Sequence, residues 1–449
     1  MTKKAVAGSL ANPFIEGCGK RFEESPKNLL ACNAATHVDL TKVSMSRDRF
    51  YGVNHVFSHQ VKLEGKATNQ KSTGRCWIFA ALNVMRLPLM KKYKLDEFEF
   101  SQSYLFFWDK FEKANFFLEN IISTRDEDLK GRLVMWLLGT PVADGGQWHM
   151  FVNLVKKYGV VPKDVMKESF SSSNSARTNA LLNAKLREFA GELRAMNKKN
   201  ASLSEIRKKK NEMMEEVYRI LRIFLGEPPK KFDWHFRDKK KKYCSFTGLS
   251  PQDFLKKHVP YKVEDKICLI NAPTKDKPYN KLYTVQFLGN VVGGEIVTYV
   301  NLDTSSLRNY AVSSLKGGEA VWFGCDVGKH FDRDLGIMDM ELFDYQLVFE
   351  TKLNQNKADR LDYGQSQMTH AMVLTGVDLK GRSASKWRVE NSWGDKHGEK
   401  GYCVMTDDWF DQYLYEIVID KKYVPKKVRD ILKQKPKVLL PWDPMGSLA

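Results

Sequence analysis

The apolar residues of this 449-residue chain change their period once, and that change bounds the folds open to it. Behind Cys76, Ile78, Leu82, Met85 and Leu89 step by four, three and four; Trp148, Val152 and Val155 repeat the rhythm after Gly145 and Gly146. Leu182, Leu186, Phe189, Leu193 and Met196 continue it, followed by Ile206, Met213, Val217, Ile220 and Phe224. Such spacing puts each set on one face of a helix. Ser202 and Glu205 form a capping box ahead of the last set, and Gly226, Pro228 and Pro229 stop it. The last third reads as strands: Tyr283 to Phe287, Ile296 to Val300, Val321 to Cys325, Ala371 to Val377, Lys386 to Glu390, Gly401 to Met405 and Tyr413 to Ile419. Helices followed by strands make an α+β chain.

Its length allows two or three structural units. A hydrophobic content of 43% and an aromatic content of 12% exclude disorder. The boundaries read as an irregular packing extension over 1–64, a helical unit over 65–170, a lysine-rich helical insertion over 171–260, a β unit over 261–435 and an extended arm over 436–449. Net charge is +18, and the stretch from Leu181 to His258, with 20 Lys and Arg against 10 Asp and Glu, carries +10 of it. That face suits an acidic partner, and weak nucleic-acid binding through Lys208 to Lys210 and Lys239 to Lys242 is one reading; solvated lysines are the plainer one. Seven cysteines, an odd number with no C-x-x-C pair, read as free thiols of a reducing, cytoplasmic setting. The short apolar run after Lys3 and Lys4 is broken by Asn12 and Pro13, and no run of 18 apolar residues occurs, so neither a signal core nor a membrane partner is expected.

A thiol attacks as thiolate, and a helix N-terminus or a neighbouring imidazolium lowers its pKa. Cys76 has the first by position, with Gly74 allowing a tight turn ahead of it. His370 heads an apolar strand and Asn391-Ser392-Trp393-Gly394 ends the next, so a hairpin would set the imidazole beside the Asn391 amide. Trp393 would cover that hydrogen bond. Gln70, with the Cys76 backbone N–H, would hold an oxyanion. Cys325 and Cys403 read as core, and Cys18, Cys32, Cys244 and Cys268 lack metal spacing. His55 and His59 stand four apart with Val56 where a zincin needs glutamate, so no metal and no cofactor is expected.

Gln70 six residues before the cysteine of Gly74-Arg75-Cys76-Trp77, then Ser101-Gln102, Asp144-Gly145-Gly146, His370-Ala371 and Asn391-Ser392-Trp393-Gly394 resemble, in that order, the papain family. The resemblance implies a two-lobed papain-like α+β fold, a helical lobe beside an antiparallel barrel-like β lobe, with Cys76, His370 and Asn391 catalytic and Gly145 and Gly146 binding substrate. The gap from Cys76 to His370 is 294 residues, against about 130–150 in papain-like enzymes, so a helical insertion follows Gly146. With that insertion, Arg75 and the tail Trp442-Asp443-Pro444-Met445-Gly446, the chain resembles the bleomycin hydrolase and aminopeptidase C group. Its members imply a cytosolic homohexamer with an internal channel and a C-terminal arm in the cleft. The Ala449 carboxylate would there meet the free amine of a peptide substrate, giving a broad aminopeptidase. An endopeptidase, or a basic nucleic-acid-binding protein with secondary peptidase activity, are the alternatives.

Overall fold

The Cys76–Tyr93 helix is apolar on nearly every side, so it must be surrounded. In a computed structural model of the chain, which describes residues 8–449, it is: thirteen of its residues are buried, from Cys76 to Met90. Lys3 and Lys4 lie outside the described residues. The four-residue stripe read from the sequence is thus one side of a helix buried all round for most of its length. It packs against the Gln102–Ser123 and Trp148–Tyr158 helices on one flank and the strands Val321–Cys325 and His370–Lys380 on the other. Lys94, at φ 52°, ends it.

The insertion forms two long helices, Ala176–Lys198 and Leu203–Leu225, which pack on each other and on Gln102–Ser123. Both arms of the Ser202–Glu205 capping box are made, and Gly226 ends the second helix at φ 84°. Not all of its lysines face water. Lys210 turns inward, 2.9 Å from Glu119 and 2.8 Å from Asn115, because its helix face lies against Gln102–Ser123.

Among the described residues the sheet runs in the order Lys437–Leu439, Lys281–Val285, Tyr299–Asn301, Lys266–Ile270, Leu414–Asp420, Val321–Cys325, His370–Lys380, Ser383–Glu390, Tyr402–Thr406, then two short strands, Ile337–Met338 and Phe331–Asp332. Its middle is antiparallel, with His370 opposite Cys325 and Val373 opposite Glu390. Strand Ser383–Glu390 therefore returns along His370–Lys380 and brings Asn391 to the end of the sheet where His370 begins its strand.

Three segments depart from the sequence reading. The insertion, read as helical over 171–260, also carries an antiparallel hairpin, Phe232–Arg237 with Tyr243–Leu249, its first strand built from alternating aromatic residues. Residues 12–52 carry four short helices rather than irregular chain. Asn12–Glu23 and Pro26–Ala35 bury no side chain; Ser25 caps the second by accepting from the Asn28 N–H, and Asp39 caps Leu40–Ser44 by accepting from the Thr41 N–H. The apolar run from Ile296 becomes strand only at Tyr299. Asn153 accepts from the Glu295 N–H at 2.8 Å and donates to its C=O at 2.9 Å, so this backbone is satisfied by a helix side chain instead of a ladder.

The arm is extended at both ends around a turn. Lys437–Leu439 pairs in parallel with Lys281–Val285. Asp443 then caps the Pro444–Gly446 turn and meets Lys277 at 2.9 Å, while Arg132 lies over the Trp442 ring. No helix among the described residues is long and apolar enough to cross a membrane.

Glu416, in the centre of the sheet, is fully buried, and burial pushes its carboxyl up to about 8, opposed only by the Cys268 thiol. A carboxyl raised in the folded state contributes stability that is complete below its unfolded value and is lost as pH rises through about 8. Glu416→Gln should therefore gain thermal stability relative to the natural chain as pH goes from 5 to 9. Thermal melts across that range check this; a constant difference would contradict it.

Candidate active site

Cys76 opens its helix, so its sulfur lies at the positive end of the helix dipole. The backbone N–H groups of Cys76, Trp77 and Ala371 all act on the thiol, and Ala371 is the neighbour of His370. The helical lobe thus brings its thiol to the head of the strand that carries the imidazole. His370 Nε2 lies 2.9 Å from Asn391 Oδ1, and the Trp393 ring covers the pair at 4.9 Å between centroids. The Ser392 N–H also donates to Asn391 Oδ1, at 2.7 Å. With the Asn391 oxygen acting as acceptor, Nε2 carries the proton and Nδ1 is left as the basic nitrogen.

Both titrating groups are sealed from water. Burial pushes the Cys76 thiol up to about 11, against the pull of the three N–H groups. Burial likewise brings the His370 imidazole down to about 4, opposed by its bond to Asn391. Each shift favours the neutral form, so the closed site holds a thiol and an imidazole. One proton transfer between them creates a thiolate facing an imidazolium, with a hydrogen-bond donor set already aimed at sulfur.

Gln70 belongs to a loop sewn onto the Asn391–Gly394 turn. Its backbone N–H donates to the Ser392 C=O at 2.8 Å, and its Oε1 accepts from Ser392 Oγ at 2.6 Å. Nε2 donates to the Thr73 C=O at 2.5 Å, which spends one amide proton and leaves the other.

Gly145 and Gly146 lie beside the end of the arm. The Gly146 N–H donates to the Ala449 oxygen at 3.1 Å and its C=O accepts from the Ala449 N–H at 3.3 Å, an antiparallel pair. Gln147 Nε2 donates to the Ser447 C=O at 2.6 Å. Neither glycine has room for a side chain: a Cβ at Gly145 would lie 2.6 Å from the Ala449 oxygen, and one at Gly146 2.5 Å from the Trp77 ring.

The residues read from the sequence as site residues, Cys76, His370, Asn391, Gln70, Trp393, Gly145, Gly146 and Ala449, stand at these three contacts. What the sequence reading missed is the charged layer beneath them. Asp144 accepts from the Gly74 N–H at 3.0 Å and from Asn179 at 2.8 Å, and meets the fully buried Lys110 at 2.6 Å. Against the cost of its burial, Lys110, Ser175 and Gly74 hold its carboxyl well below the usual range. Lys113 donates to the Ala143 and Gly145 carbonyls at 2.9 and 2.6 Å. Arg75 is forked onto Glu168 at 3.1 and 3.0 Å and sandwiched between Phe79 and Phe106. The signal was present: Asp109, Lys110 and Lys113 interrupt an aromatic helical run that contains Leu105, Phe106, Phe107 and Phe117. A charge on such a face must find a partner, since losing one member of a buried pair costs about 3–5 kcal/mol.

Among the described residues no cluster of His, Cys, Asp and Glu has a metal-binding arrangement. The Peptidase C1-like family matches residues 9–446 of the chain. The bleomycin hydrolase of Mus musculus is 51% identical over 439 residues, covering 96% of each chain. Aminopeptidase C of Lactobacillus delbrueckii subsp. lactis is 46% identical over 438 residues, covering 97% of each. The crystal structure of PepW from Lactobacillus rhamnosis superposes with a TM-score of 0.97 at 47% identity, over 99% of this chain and 100% of that one. An ordered series of papain-like motifs from Gln70 to Gly394, folded into one buried Cys–His–Asn site and matched along nearly the whole length, has one reading: the chain belongs to the Peptidase C1-like family and is a cysteine peptidase.

Proposed function

We propose that this cysteine aminopeptidase removes residues one at a time from the N-terminus of peptides, with Cys76 as nucleophile, His370 as base and Asn391 fixing the histidine. The observation that carries the exopeptidase reading is the antiparallel pair between Ala449 and Gly146. A backbone strand lying on Gly146 occupies the ground that an extended peptide would need beyond its first residue. The Ala449 carboxylate at the end of that strand offers an opposite charge to a substrate α-ammonium. The names of the relatives, aminopeptidase C above all, support the same reading.

In the proposed cycle His370 Nδ1 takes the Cys76 proton and the thiolate adds to the first peptide carbonyl. The oxyanion is held by the Cys76 N–H and the free amide proton of Gln70. Collapse breaks the C–N bond as His370 returns its proton to the leaving amine, and a thioester remains. His370 then deprotonates water, whose attack frees the amino acid and restores the thiol. Gly145 and Gly146 keep the cleft wall flat, and Trp393 keeps water from the His370–Asn391 bond. Seven unpaired thiols suit a cytosolic setting. Apolar side chains left in water on the N-terminal helices, Phe14, Ile15 and Leu30, suit contacts between copies in a homohexamer.

Cys76→Ala should lower aminoacyl-amide turnover by at least about a thousandfold while leaving the fold intact; activity that survives removes the nucleophile assignment. Deleting Leu448 and Ala449 should cut the preference for a free over a blocked N-terminus by about 10- to 100-fold, the worth of a charge-assisted bond. An unchanged preference, measured as the ratio of kcat/KM values, would instead favour an endopeptidase-like cleft. Gly145→Ala should push the arm from its groove, so that carboxypeptidase trims the variant faster than the natural chain, as read by intact mass.

A further inference from the structure

Glu390 is the last residue of strand Ser383–Glu390 and directly precedes Asn391. Its side chain leaves the sheet and enters the helical lobe. There Oε1 accepts from Arg86 Nη2 at 2.5 Å and from Asn83 Nδ2 at 2.9 Å. Asn83 and Arg86 lie seven and ten residues beyond Cys76, about two and three turns along the same face of its helix. Asn83 and Arg86 are each 2% exposed and Glu390 1%. One carboxylate therefore joins the helix that carries the nucleophile to the strand end that carries the Asn391 amide.

The surroundings are shaped around this contact. Arg86 Nη2 also donates to the Lys66 C=O at 2.9 Å, and Asn83 Nδ2 to Thr68 Oγ1 at 3.0 Å. A Cβ at Gly65 would lie 2.5 Å from Arg86 Cζ, so any side chain there would displace the guanidinium. Tyr402, on the neighbouring strand, donates to the Gly65 C=O at 2.8 Å. Glu64 acts on the same carboxyl and is clamped by Arg388 at 2.9 and 3.1 Å. For stability alone, a buried ion pair holds no advantage over apolar side chains of the same size. Here Glu390 Oε2 and Arg86 Nε even lack hydrogen-bond partners among the described residues. What the pair supplies that apolar contacts do not is a directional link between two lobes.

We propose that Glu390, acting through Arg86 and Asn83, is a positioning residue that sets the register of Cys76 against His370 and Asn391. It rests on the roles given to those three under the proposed function. Burial, opposed by Arg86 and reinforced by Glu64, brings the Glu390 carboxyl up to about 7. Arg388 also opposes the shift. The link is therefore ionic above neutral pH and loses its charge as pH falls through about 7, which loosens the register on the acid side.

The test compares the full-length natural chain with Glu390→Gln, which keeps the shape and an acceptor oxygen but carries no charge. Glu390→Gln should lower kcat about tenfold with KM changed less than about twofold, the mark of a displaced reacting group. The natural chain should show an inflection near neutral pH in kcat and in the rate of Cys76 alkylation by iodoacetamide, and Glu390→Gln should lack it. A folded variant whose kcat and both pH profiles overlay those of the natural chain overturns the proposal. If Glu390→Gln does not fold, Glu390→Asp keeps the charge and shortens the reach: natural kcat at pH 8 overturns the proposal, and lowered kcat at unchanged KM supports it. An alkylation profile of the natural chain without an inflection near neutral pH overturns it with no variant at all. A natural chain that turns over no peptide fails the proposed function instead.

Discussion

The chemistry of this molecule depends on one seam, where the Cys76–Tyr93 helix lies against strands Val321–Cys325 and His370–Lys380. A thiol on one side and an imidazole with its amide on the other are separated by 294 residues of sequence, so no local geometry can set their spacing. The seam is first of all apolar. Trp77, Ile78, Leu82 and Met85 on the helix, and Trp322 and Val373, which stand opposite each other on the two strands, are all at 1% exposure or less, and each large side chain contributes about 1.5–3 kcal/mol on burial. Polar contacts then fix its register: Trp322 Nε1 donates to the Trp77 C=O at 3.2 Å, and Arg86 and Asn83 hold Glu390. Apolar packing supplies strength without direction, and the few directional bonds select one arrangement among those that packing allows.

The cleft wall depends on the seam from the other side. Asp144 sits between the turn before Cys76 and the two glycines, accepting from Gly74 while the Asp144 C=O accepts from Trp77 Nε1 at 2.8 Å. Lys110 and Lys113, from the second core helix, neutralise Asp144 and bind the Gly145 carbonyl. The Gly145 carbonyl is thereby anchored, and the Gly146 N–H and C=O are left facing the arm. The arm completes a ladder that this rigid backbone begins. Its path is set far upstream, where Lys437–Leu439 joins the sheet edge and Asp443 meets Lys277.

The insertion between these parts is legible for a physical reason. Its helices bury one stripe each and leave the rest to water, so Leu182 to Met196 and Ile206 to Phe224 announce themselves at helical spacing, and the Ser202 cap and Gly226 stop are local. The motifs of the proposed site were legible too, because Gly74 before a helix and Asn391 at a strand end are local arrangements. The short helices of residues 12–52 were not: each runs for about three turns or fewer, so a spacing such as that of Phe14, Cys18 and Phe22 is too brief to stand out. Nor was the turn of Lys210 toward Glu119, since a lysine in a basic run looks the same from the sequence whether it meets water or a glutamate 91 residues away.

By itself the sequence determined the element types, the helical insertion, and the thiol, imidazole and amides with their likeness to papain. Each of these is written in spacing and side-chain chemistry over a few residues. Only the tertiary structure decided which charges lie beneath them: Lys110 under Asp144, Glu168 around Arg75, and Arg86 reaching Glu390 from 304 residues away. It also decided that Ala449 lies on Gly146. Burial and pairing of a charge depend on what the rest of the chain brings to that point, and a linear pattern carries no record of neighbours that meet only when two lobes close.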